Sequence, residues 1–177
     1  MRPLTALAED RCGVALIEFA FTFPILLLLF LGGYQLADAV ACKRKVGLAD
    51  RTIVDLASTP KMVTAAELET ILESANAMLA PYPGANASVR ISQVAVDARR
   101  RVSIVWSRGS NVARRTRVTT AEIPRQLRVA NTYLVMGEVT YAYDPGVAYR
   151  SVGKLNFSDR FFMNPRNSNM VACNDCR

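Results

Sequence analysis

A glycine, Gly13, stands at the head of a long apolar stretch, and a single carboxylate, Glu18, lies four residues beyond Val14 inside it. Each residue type carries a chemistry. Glycine leaves the backbone open to close approach by another molecule, and a cut between Gly13 and Val14 would free the Val14 α-amino group as a new cation. A carboxylate in lipid costs about 2.5–3.5 kcal/mol even on mild insertion scales, so it needs a partner charge. Glu18 lies one helical turn from Val14. The amine of a neighbouring copy, shifted along the helix axis, would pair with that carboxylate and relieve both charges.

The element that must position these residues is the apolar run itself. Val14 to Gly33 is twenty residues whose only clearly polar members are Glu18 and Thr22. A helix of that length spans roughly 30 Å, one hydrocarbon core. A core helix of a small domain keeps a polar face, and "PILLLLFLGG" has none. Pro24 is tolerated because neighbours in a membrane satisfy the carbonyl it frees.

Two processing readings compete. In one the run is a secretory signal, with "ADAVAC" offering small residues before Cys42, so that a secreted or lipid-anchored binding protein matures near Cys42. Against it, the block exceeds a roughly 7–15-residue signal core, and the acids Glu9, Asp10 and Glu18 fall where such signals avoid them. In the other the run is kept as an anchor. Lys43, Arg44 and Lys45 follow the span, and the positive-inside tendency alone favours the opposite topology. The short leader and the cysteine usage put the amino terminus inside and the bulk of the chain in an oxidising periplasm.

Taken together, Arg11, Gly13, Val14-Ala15-Leu16-Ile17, Glu18-Phe19 and Pro24 in register with an apolar helix resemble the start of the TadE-like proteins, pseudopilins of the tight-adherence (Flp, type IVb) pilus system. The resemblance implies cleavage after Gly13 by a dedicated prepilin peptidase, Gly13 and Val14 as processing site, and Glu18 with Phe19 as the assembly and charge-pairing site. It implies pilin-like subunits, pilus assembly proteins and the bacterial inner membrane as partners, and no catalysis. More than a hundred residues follow the helix, which fits a minor component better than a bulk filament subunit.

Beyond the span the helix is predicted to continue, with Val46, Ala49, Ile53, Leu56 and Ala57 at three- and four-residue intervals until Pro60. A capping box, Thr64 to Glu67, opens a second helix bearing Leu68, Ile71, Leu72, Ala75 and Leu79. The period then changes to two. "SVRISQVAVD" alternates at Val89 and Ile91 and slips to Val94 and Val96, which predicts a bulge near Ser92 or Gln93; Val102, Ile104 and Trp106 are expected to share a face. Asp97 to Arg101 makes the pair a hairpin. "NTYLVMGEVTYAYDPG" is the longest strand, Tyr133, Val135, Val139, Tyr141 and Tyr143 on one face, and "GKLNFSDRFFMNPR" the last. The fold class is α+β, like pseudopilins in general. The expected organisation is a cytoplasmic leader at 1–13, a transmembrane helix at 14–37, a helical continuation at 38–60 and a periplasmic domain at 61–177.

The net charge of +7 with no histidine removes the commonest general base and metal ligand. Asp97, Glu122, Glu138 and Asp144 show no spacing that joins two into an acid/base pair. "ARRR" (98–101) and "ARRTR" (113–117) read as solvated turns. They lack the interleaved aromatics of a nucleic-acid platform, and anionic lipid or an acidic partner suits them better. Cys173-x-x-Cys176 has too few companions for a zinc site and no βαβ setting for redox catalysis. In an oxidising compartment the two are expected to form a local disulfide, with no metal and no cofactor.

Overall fold

A computed structural model of the chain describes residues 11–146 and 153–176. The leader through residue 10, with Glu9 and Asp10, lies outside the described residues. The chain divides into two compact units, Met1–Ala39 and Val40–Arg177.

In the first unit the backbone is one helix, the opening part of α1 (Arg11–Ser58). Its large apolar side chains, from Val14 through Leu36, are exposed. Among the described residues this is the one helix long and apolar enough to cross a membrane. The arrangement follows from composition, since a helix apolar all round has no face to turn to water.

In the second unit α1 buries one stripe, Cys42, Val46, Ala49, Asp50, Ile53, Val54 and Ala57, at the three- and four-residue spacing of a helix on a sheet. Leu56, expected in that stripe, is half exposed; Val54 holds the position that the period assigns. Helix α2 (Ala65–Met78) starts as expected from a capping box, Thr64 accepting the Glu67 N–H and the Glu67 carboxylate accepting the Thr64 N–H at 2.8 Å. Leu68, Leu72 and Ala75 are its buried face.

Four antiparallel strands follow, β1 (Ala87–Val96), β2 (Val102–Ser110), β3 (Thr132–Tyr143) and β4 (Leu155–Met163), in the order β2-β1-β3-β4. The architecture is α+β. Both sheet faces are covered. Helices α1 and α2 lie on the face of Val89, Ile91, Val135, Val139 and Tyr141. The opposite face carries Val94, Val96, Leu134 and Met136, closed by Ile123 with Val118 and Leu127 from the β2–β3 connection.

This double covering corrects two expectations. β1 pairs with β3 without interruption from Ala87 to Val96, so β1 carries no bulge. Val89 and Ile91 face the helices and Val94 and Val96 face the connection, an apolar pattern that changes sides because both sides are dry. The register shift falls on β2, where Gln93 and Val94 pair with Trp106 and Ile104, leaving Val105 as the extra residue. Trp106 is therefore not on the face of Val102 and Ile104. It turns to the helical side and donates its indole N–H to the Val171 carbonyl at 2.8 Å.

Helix α1 comes close to β3 at Gly137. A Cβ on Gly137 would overlap Asp50 Oδ1 and Val54 Cγ2, so glycine alone fits. Asp50 is fully buried and neither of its oxygens makes a hydrogen bond of good geometry, the Phe161 backbone N–H reaching it only weakly. Burial, and then the charges of Asp159 and Glu138, raise its carboxyl to about 7; the Phe161 backbone N–H and Arg160 oppose this only partly. The folded state thus holds this proton where the unfolded chain releases it near pH 4. The contribution of this group to stability is accordingly greatest below that pH and is lost as pH rises from about 4 through about 7, by on the order of 4 kcal/mol. Two outcomes are expected in thermal or denaturant unfolding of the full chain in detergent. Gly137→Ala lowers stability by about 1–3 kcal/mol, and Asp50→Asn flattens the decline between about pH 5 and 7.

Candidate assembly segment and carboxy-terminal clamp

Gly13, Val14, Glu18 and Phe19 all lie on the first turns of α1, and among the described residues nothing encloses them. A Cβ added at Gly13 meets no atom within 4 Å. The fold itself therefore gives no steric reason for glycine here. The Phe19 and Phe23 rings lie one turn apart with centroids at 5.4 Å, and Thr22 donates its hydroxyl to the Glu18 backbone carbonyl at 2.8 Å. That bond leaves the Glu18 carboxylate itself uncommitted to Thr22. Pro24 sits inside the helix, where it removes the N–H that would bond to Ala20.

At the other end of the chain Cys173 and Cys176 are bridged, with Cα atoms 5.6 Å apart. Between them Asp175 accepts the Ala65 N–H at 3.0 and 3.1 Å, so a carboxylate sits at the amino terminus of α2, where the helix dipole favours it. The tail adds further bonds. Val63 N–H donates to the Ala172 carbonyl at 2.9 Å, Ala172 N–H to Lys61 at 3.0 Å, and Arg166 N–H to Ser58 at 2.9 Å. The Arg166 guanidinium pairs with Asp55. The tail thereby clamps the end of α1 to the start of α2.

A third cluster was missed from the sequence. Glu138 on β3 receives Arg90 at 2.8 Å, Arg160 at 2.7 Å, and Arg115; Arg115 also pairs with Glu122, which Arg160 reaches at 3.3 Å. Arg115, assigned to a solvated turn, is instead mostly enclosed, with 15% of its side chain exposed. Chain spacing gave little hint, because the arginines around Glu138 lie 22 to 48 residues from it. Burial alone would raise the Glu138 carboxyl, but hydrogen bonds from Arg115 and Arg90 outweigh it and hold it below the usual range. Glu122 is likewise held low, the Thr119 backbone N–H and Arg115 overcoming burial. Both stay ionised at neutral pH, so this pair of carboxylates is brought together as structural ion pairs and offers no proton donor. The other basic stretch behaves as expected: Arg101 pairs with Asp97 at 2.7 Å across the exposed hairpin turn.

The clamp is expected to resist thiol reagents until reductant is added. Alkylation and mass mapping of protein taken from the cell envelope should leave Cys173 and Cys176 unlabelled, and two labelled tail thiols would refute the bridge. Because the loop is only four residues, its reduction should cost no more than about 2 kcal/mol.

No curated protein matches the chain, and no solved structure does. Residues 13–47 match the family model described as TadE-like protein, a segment that holds Gly13, Val14, Glu18, Phe19 and Pro24, so over that segment the chain is similar to TadE-like proteins.

Proposed function

We propose that the chain is a minor pseudopilin of a Tad (Flp, type IVb) pilus, cut by a prepilin peptidase between Gly13 and Val14 and held by its apolar helix in the bacterial inner membrane. Residues 61–177 work in the periplasm through assembly contacts, without catalysis. The observation that carries this reading is the TadE-like match over residues 13–47, with Gly13, Glu18, Phe19 and Pro24 in register at the head of an exposed apolar helix. That the fold makes no steric demand on Gly13 supports a demand from outside the chain, namely a peptidase that must reach the backbone. The signal-peptide alternative, with a mature end at Cys42, loses ground because Cys42 is fully buried within α1.

In this reading the new amine of Val14 and the Glu18 carboxylate of an adjacent pilin-like subunit neutralise each other in the membrane. The Glu18→Ala chain should insert at least as well as wild type and be cut normally, yet fail to co-isolate with pilin-like partners. Immunoblot for precursor and pull-down from the same cells measure both. Uncut precursor would make Glu18 a peptidase recognition element, and full assembly would leave it an interfacial charge of about 0.3–1 kcal/mol. The companion variant Gly13→Val should accumulate as precursor, heavier by the leader. Normal cutting of that variant, or a mature amino terminus at Cys42, would overturn the assignment.

A further inference from the structure

The juxtamembrane stretch of α1 and strand β4 border an open cavity of about 490 Å³, lined by Val40, Lys43, Arg44, Gly47, Leu48, Arg51 and Asp159. Its charges are not spent on one another. Among the described residues Lys43, Arg44, Arg51 and Asp159 form no ion pair, although six other arginines of the domain do. Lys45, on another face of the helix, is committed to the Ala80 carbonyl at 2.6 Å. The Arg51 guanidinium is held over the Phe161 ring at 5.6 Å, which fixes its position without neutralising it. Asp159 uses one oxygen to accept the Arg160 backbone N–H at 3.1 Å. Its other oxygen lies 2.8 Å from where a Gly47 Cβ would stand, so the missing side chain gives this carboxylate its place in the cavity wall.

Three cations and one anion facing one space are complementary to a ligand with a strong anion and a single cation. A phosphodiester joined to a primary ammonium has that pattern, the phosphate meeting Lys43, Arg44 and Arg51 and the ammonium meeting Asp159. The source follows from position. Lys43 comes ten residues after Gly33, the end of the apolar run, and basic residues directly beyond a span meet lipid headgroups. Val40 and Leu48 on the rim are 44% and 61% exposed, which suits the apolar start of an acyl chain. We propose that this cavity is a headgroup site for a zwitterionic aminophospholipid of the membrane that α1 spans. The site rests on the anchoring and not on the pilus assignment.

The test uses the full chain in detergent, with phosphatidylethanolamine, phosphatidylglycerol or phosphatidylcholine added singly and retained lipid read by native mass spectrometry. Wild type should retain phosphatidylethanolamine over the other two, since phosphatidylglycerol lacks the ammonium and phosphatidylcholine cannot donate a hydrogen bond to Asp159. The double variant Lys43→Gln/Arg44→Gln, at exposed positions that leave folding intact, should lose about tenfold or more in retention. Asp159→Asn should abolish the preference for phosphatidylethanolamine over phosphatidylglycerol while phosphate-dependent retention persists. Free phosphoethanolamine should fail to displace the lipid; displacement would make the site one for a soluble phosphate ester and overturn the lipid assignment. Equal retention of the three lipids by wild type, which needs no variant at all, overturns the proposal. So does unchanged retention by the double variant, or a concentration-dependent dimer lost in it without any lipid effect. Because these readouts involve neither cutting nor partners, their failure is distinct from failure of the pseudopilin reading.

Discussion

Helix α1 can lie on the sheet only where β3 has no side chain. Gly137 is that gap, and the groups that fill it are Asp50 and Val54. The contact sets how far the helix can sink between β3 and its neighbours, and therefore how dry the stripe from Cys42 to Ala57 becomes. The cost is a carboxyl buried without a well-formed hydrogen bond. A neutral carboxyl is tolerated there and a carboxylate is not. On the other face of β3, one residue along, Glu138 meets the opposite solution, ionised and surrounded by three arginines. The two faces of β3 thus deal with buried charge differently, by protonation of Asp50 from α1 on the helical side and by pairing of Glu138 on the side of the connection.

Those two devices pull the pH dependence in opposite directions. Glu138 is depressed, so its stabilising effect is complete above its unfolded value and is lost as pH falls through the folded one. Asp50 is raised, and its penalty grows as pH rises toward about 7. The domain is consequently best matched to mildly acidic conditions. The ion pairs also explain how a connection without regular strands stays fixed. Arg115 ties it to β3, and Ser107 accepts the Arg115 backbone N–H at 2.9 Å while bonding Ser92 across β1 and β2 at 2.8 Å.

Much of this was legible in the sequence where a single local rule decides. The capping box at Thr64 and Glu67, the alternation of Tyr133 to Tyr143 and the twenty-residue run after Gly13 each carry their own signal within a few residues. The misread places depend on a second layer that sequence periodicity does not reveal. Val94 and Val96 look like a slipped register if one face of β1 is assumed wet, and like ordinary core once Ile123 and Leu127 cover that face. Arg115 looks solvated until Glu138, 23 residues on, and Glu122 beyond an irregular turn are placed beside it. At the amino-terminal end the spacing of Gly13 and Glu18 was legible, and both stand exposed on the first turns of α1.

The carboxy-terminal clamp has a consequence for the order of events in folding. The Trp106 indole is satisfied by a carbonyl 65 residues later, the entry to α2 is held by residues 172 and 175, and the exit of α1 by residue 166. Local helices and the β1–β2 hairpin form without them, but the helical layer closes only when the final residues arrive. Contacts of such long separation close slowly. A chain synthesised from its amino terminus would therefore keep this domain open, and accessible to chaperones and proteases, until the segment from 166 to 176 had been made.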